Sequence, residues 1–415
     1  MDDTEKSGLL TLFNSQVRPT IIMPLMEVVQ ESSSSTEQQL LPGIPDQITI
    51  SHITPKLPWR TINILSSVSY SWRQAIHSRE VYRSRVSSNS TETLLVINHR
   101  HTQDGSALSL YSIKDNAVHR LPPIPRRRLQ RNPGLPWGCQ FVALDGKLYV
   151  LGGTKEYGSS EVNRIVYVLD LAAQLQWQEC THMPETRVEF GCGVINGKIY
   201  VFGGFLQCEL IGAEVYDPET NSWSPITPPQ VLISKILQVT SCGEELFLHG
   251  GDFFGSHYPP DARAAFLWEA YHPENYEWRT FVVKVAAGGY TFEAHAWQDF
   301  IPRVFASEGR LYCLTRYGIH LLECEEWTQM HTISCDELGP SGCVFIEPQA
   351  ALAVNGEVLA MVNYLCTRPH NIQGSCLLQS QGFGTASRHI EWQKLRFYMP
   401  RGEPSYTSQM VAIHL

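Results

Sequence analysis

The chain has 415 residues, 43% hydrophobic and 18% charged, which supports a real core and excludes a wholly disordered, collagenous or coiled-coil protein. Its 32 basic and 41 acidic side chains give a net charge of −9, which argues against a general nucleic-acid binder. No apolar run is long enough to form a membrane-spanning helix, and Met1-Asp2-Asp3 opens the chain without a basic stretch ahead of an apolar one. Neither a membrane partner nor a secretory leader is expected. The 11 cysteines are odd in number, scattered, and form no CxxC pair, so they read as reduced and mostly buried thiols with no metal or cofactor role.

Residues 1–39 read as a disordered arm, with a low-complexity stretch at Ser32-Ser33-Ser34-Ser35-Thr36. From residue 40 to 86 the texture is helical. Ile62, Leu65, Val68, Trp72 and Ile76 are three or four residues apart, which predicts one apolar stripe on a helix. Ile44, Ile48 and Ile53 predict an earlier turn or two, and Pro55 and Pro58 break the chain between the pieces. A module this small needs the rest of the chain, or a partner helix, to cover its stripe.

From residue 92 to 415 the pattern is β and it repeats. Gly146-Lys147-Leu148-Tyr149-Val150-Leu151-Gly152-Gly153 recurs as Gly197-Lys198-Ile199-Tyr200-Val201-Phe202-Gly203-Gly204. It returns with one extra residue at Gly243-Glu244-Glu245-Leu246-Phe247-Leu248-His249-Gly250-Gly251, and in degenerate form at Gly309-Arg310-Leu311-Tyr312 and Gly356-Glu357-Val358-Leu359. Each copy is trailed by a tryptophan, at Trp177, Trp223, Trp278, Trp327 and Trp392, with a period of about fifty residues. The Gly-Lys pair predicts a hairpin turn into a wholly apolar central strand. The double glycine lets the backbone leave that strand, and the tryptophan is expected to cover the joint with the next unit. Four-stranded units of this kind pack in a ring as a β-propeller. The count is six blades. The first, through Leu94-Leu95-Val96-Ile97, lacks its own first strand, and Ser408-Gln409-Met410-Val411-Ala412-Ile413 resembles Gly138-Cys139-Gln140-Phe141-Val142-Ala143 of the second. The C-terminal strand is therefore expected to complete blade one and close the ring.

The repeated Gly-Gly, Tyr and spaced Trp resemble kelch repeats. The helical segment resembles an F-box: Ile44-Pro45-Asp46 stands where that family usually has Leu-Pro-Asp, and Leu57-Pro58, Ile62, Leu65, Val68 and Trp72-Arg73 follow in order and spacing. Ser69 replaces the common Cys, and Tyr70 the common basic residue. The two together, over roughly residues 40–415, resemble the plant F-box/kelch-repeat proteins. The resemblance implies a non-catalytic substrate-recognition subunit of an SCF-type ubiquitin ligase, cytoplasmic or nuclear. The F-box would dock a Skp-type adaptor and through it a cullin, while the propeller would bind an unknown protein to be ubiquitinated. A kelch scaffold outside any ligase is the alternative.

On that resemblance the adaptor surface would use Ile44, Pro45, Ile48, Leu57, Pro58, Leu65, Val68 and Trp72, with the tryptophan as the expected hot spot. Substrate contacts are expected on loops after the double glycines, at 154–163, 205–212 and 252–263. Phe253, Phe254, His257 and Tyr258 make the last of these the most adhesive, and Arg126, Arg127 and Arg128 form the strongest basic cluster. No phosphate-cradling glycine loop, HExxH or GxSxG is present.

Overall fold

The computed structural model describes residues 39–101, 105–125, 135–155, 159–204, 212–228, 236–250, 265–285, 303–315, 318–324, 326–332, 343–366, 372–381, 383, 390–395 and 409–415. Helices come first: α1 (Asp46–Ile48), a π-helical turn (Thr49–Ile53), a 3-10 turn (Thr54–Lys56), α2 (Trp59–Leu65), α3 (Tyr70–His77) and α4 (Glu80–Ser87). Strands follow from Thr93 onward and form a six-bladed propeller of four strands per blade.

Blade one consists of Met410–His414, Thr93–His101, Gly105–Ser112 and Ala117–Arg120, in that order from one edge to the other. The C-terminal strand lies antiparallel to the first, with Thr93 opposite His414 and Ile97 opposite Met410. Glu92 and Leu415 exchange both backbone hydrogen bonds, at 2.7 and 2.9 Å. The ring closes as the sequence repeat requires. Each end of the chain supplies edge groups that the other would leave unpaired.

The repeated turns differ from expectation by one position. The left-handed pair is the residue before each glycine together with that glycine: Asp145 and Gly146 (φ 50° and 67°), Asn196 and Gly197 (50° and 72°), Asn355 and Gly356 (52° and 77°). Two consecutive positive-φ residues make the turn whose twist suits a tight hairpin. The following lysine opens the strand instead. The double glycine is needed for close approach, since a Cβ on Gly152 would lie 2.6 Å from the Arg187 carbonyl.

The core is a ring of apolar clusters between adjacent blades. One example joins Tyr149, Leu151 and Val168 of blade two to Ile199, Val201 and Tyr216 of blade three. Three of the spaced tryptophans tie each blade to the one before it, not to the next. Trp177 Nε1 donates to the Pro122 carbonyl at 2.8 Å, Trp223 Nε1 to that of Thr181 at 2.9 Å, and Trp278 Nε1 to that of Thr227 at 2.9 Å. Each acceptor lies on the connection leaving the preceding blade, where the outer strand can reach it. The outer strands of blades four and five also touch, in a short parallel pairing of Lys284 and Val285 with Glu326 and Trp327.

Candidate functional site

The helical segment has its own small core of Leu40, Ile50, Ile62, Trp72, Ile76 and Val81. The expected single helix is two helices. Ser69 is extended (φ −152°, ψ 167°), and its hydroxyl accepts from the Trp72 amide at 3.2 Å, so it caps α3. The break turns the apolar stripe: Ile62, Trp72 and Ile76 face inward, while Val68 in the α2–α3 corner is 62% exposed.

The eight expected adaptor residues are thereby divided. Trp72 is 5% exposed and belongs to the module's interior, which corrects its assignment as a docking hot spot. Leu57 and Leu65 pack partly against the same core, and Ile44 is half-buried. Pro45, Ile48, Pro58 and Val68 are exposed. Ile64 and Tyr70, absent from the expected set, are 56% and 71% exposed beside Val68 in the same corner. Their signal was available: an isoleucine and a tyrosine flanking the stripe on a module too small to bury them.

The module sits on one face of the propeller. Trp59, at the start of α2, is 8% exposed and packs among residues of blades one and two. Its indole Nε1 donates to the Leu171 carbonyl at 2.9 Å, its amide to Glu92 Oε2 at 3.1 Å, and its ring meets His119 edge-on at 5.8 Å. Tyr82 of α4 covers Gly146, where a Cβ would come within 2.9 Å of the ring. Burial, with Asp145 second, pushes the Tyr82 phenol up to about 12. Arg79 donates to Asp170 at 2.7 Å, to the Asp145 carbonyl at 2.5 Å and to the Asp145 carboxylate at 3.2 Å. It does so from a left-handed backbone (φ 64°), a conformation that costs a non-glycine residue about 1–2 kcal/mol. None of these three contacts is visible as a motif.

Asp145, Gly146 and Leu171 belong to the turns joining strands one to two and three to four of blade two. In an antiparallel blade the connections between strands two and three emerge on the opposite face. The loops expected to carry substrate contacts are connections of this second kind, at the other end of each blade from the turns that meet the module. Of the first loop, Thr154 is tied down by backbone bonds in both directions with Trp137 at 2.8 Å. Arg126, Arg127, Arg128, Phe253, Phe254, His257 and Tyr258 lie outside the described residues.

A buried ion pair fixes the exit of that face. Arg187 is fully buried, donating to Glu214 at 2.9 and 3.3 Å and to the carbonyls of Gly203 and Gly212 at 2.5 and 3.1 Å. Burial lowers the Arg187 pKa, and Glu214 opposes that shift. Among the described residues no group of three His, Cys, Asp or Glu side chains is placed to hold a metal ion, and no helix is long and apolar enough to cross a membrane.

The kelch motif family matches residues 186–230, a stretch that opens just before Arg187 and runs through blade three. An F-box/kelch-repeat protein of Arabidopsis thaliana is 29% identical over 252 residues, covering 50% of this chain and 52% of that protein. A second from the same plant, the F-box/kelch-repeat protein SKIP30, is 33% identical over 202 residues, covering 46% of this chain and 54% of its own. A third is 30% identical over 189 residues, covering 43% and 47%. The chain spans about half the length of these relatives. With its kelch motif, its six-bladed ring and these relatives, the chain is similar to plant F-box/kelch-repeat proteins over the half of its length that they match.

Proposed function

We propose that the chain is a non-catalytic substrate-recognition subunit of an SCF-type ubiquitin ligase, acting in the cytoplasm or nucleus. Residues 40–86 dock a Skp-type adaptor and through it a cullin. The propeller, 92–415, holds the protein to be ubiquitinated. One observation carries this reading: the helical module buries Trp59, Arg79 and Tyr82 against the propeller while presenting Ile64, Val68 and Tyr70 to solvent at its far corner. An apolar corner kept exposed on a module with so little core of its own fits a partner that covers it. The opposite propeller face would receive the second protein.

Gel filtration of the full chain with a purified Skp-type adaptor and a cullin tests this reading. Co-elution of all three is expected. If the adaptor elutes alone, the chain is a kelch scaffold whose helices serve another purpose.

A further inference from the structure

Blade three pairs the lysine that opens its second strand: Lys198 Nζ lies 3.1 Å from Asp217. Blade two repeats both residues as Lys147 and Asp170, which stand opposite each other in register. There the pair is broken. Arg79 of the helical module takes Asp170 at 2.7 Å, and Lys147 makes no ion pair or side-chain hydrogen bond among the described residues. Lys147 instead lines a cavity of about 360 Å³, bounded by blades two and three and by His77 of α3.

Both carboxylates on the walls have a partner, that of Glu179 being a histidine that carries charge only when protonated. Asp170 is held by Arg79, and Glu179 lies 3.2 Å from His182. Burial pushes the Tyr149 and Tyr216 phenols and the Cys180 thiol up, and for Cys180 this outweighs the opposing pull of Tyr216 and Lys147, so all three stay protonated. Tyr216 donates to Asn221 at 2.7 Å, while the Tyr149 hydroxyl has no hydrogen-bond partner among the described residues. The cavity thus presents an unpaired ammonium and an uncommitted hydroxyl, in a volume at the lower end of the range for small-ligand sites.

We propose that this cavity binds a small organic anion, whose carboxylate or phosphate is held by Lys147 and the Tyr149 hydroxyl, at the joint between the helical module and blades two and three. The helical module creates the site, because its arginine frees the lysine. The inference concerns a surface distinct from the exposed α2–α3 corner and does not depend on adaptor binding.

The test is calorimetric titration of the full chain with inorganic phosphate and, separately, with citrate, which distinguishes the two oxyanions. Saturable binding of at least one is expected. Lys147→Gln should weaken it about tenfold or more, since a charge-assisted hydrogen bond is lost. Tyr149→Phe should weaken it less, and Lys198→Gln, which alters the paired lysine of blade three, should leave it unchanged. Absence of saturation with either probe up to about 10 mM overturns the proposal whether or not the variants fold. So does equal weakening by Lys147→Gln and Lys198→Gln, which would mean diffuse attraction to surface charge.

Discussion

Arg79 and Asp170 are 91 residues apart in the chain and 2.7 Å apart in the fold, and their ion pair fastens the helical module to the second blade. Both side chains are mostly shielded, at 14% and 21% exposure, so the pair is worth more than a surface bridge. Arg79→Ala should lower stability by about 1–3 kcal/mol, read as the midpoint of chemical denaturation. A cycle with Asp170→Asn should show coupling between the two. Arg79 with Asp145 should show little, because Asp145 is 64% exposed.

The Arg187–Glu214 pair is a stronger case. Arg187 is fully enclosed, and Glu214 accepts from it at 2.9 Å. Glu214→Gln should cost about 3–5 kcal/mol by removing the carboxylate that pairs with a buried cation. Replacing both residues, as Arg187→Met with Glu214→Leu, should cost less than the sum of the single changes. Urea denaturation of the four proteins measures this directly, and strict additivity would contradict it.

Acid should weaken the fold before its carboxylates titrate. Burial, assisted by Arg303, depresses His249 to about 3, and burial alone depresses His320 to about 4. The unfolded chain binds a proton at each near pH 6.5 and the folded chain does not. Their contribution is therefore complete above pH 6.5 and is lost as pH falls toward the folded values. Each histidine should remove up to about 2 kcal/mol between pH 6.5 and roughly pH 5. Denaturation midpoints across that window should fall, and His249→Gln should flatten the slope. An unchanged slope would show that His249 is protonated in the folded chain.

The blade architecture was legible because it repeats. Gly146 to Gly153 and Gly197 to Gly204 announce the same hairpin, and the likeness of residues 408–413 to 138–143 is the likeness of two strands with the same neighbours. The helical module was legible only in part. Spacing of three and four residues sees Val68 and Trp72 as one stripe, and it cannot see that Ser69 adopts an extended cap between them. Trp59 lies three residues before Ile62, so its place at the edge of the stripe could be read, but not its burial against Leu171, 112 residues on. Arg79 shows nothing locally, since both its left-handed backbone and its carboxylate partners are set by the docked propeller.

The measurement that bears most directly on the central proposal is the affinity of the purified chain for a Skp-type adaptor, compared between wild type and an Ile64→Asp, Val68→Asp double variant. Both side chains are exposed, so the variant should keep the wild-type denaturation midpoint to within about 0.5 kcal/mol. Adaptor binding should fall by a hundredfold or more, about 3 kcal/mol, as two charges enter an apolar interface. Trp72→Ala should instead lower stability by about 3–5 kcal/mol, through loss of the module's interior. Undiminished adaptor binding by the folded double variant would contradict the assignment of the α2–α3 corner as the docking surface.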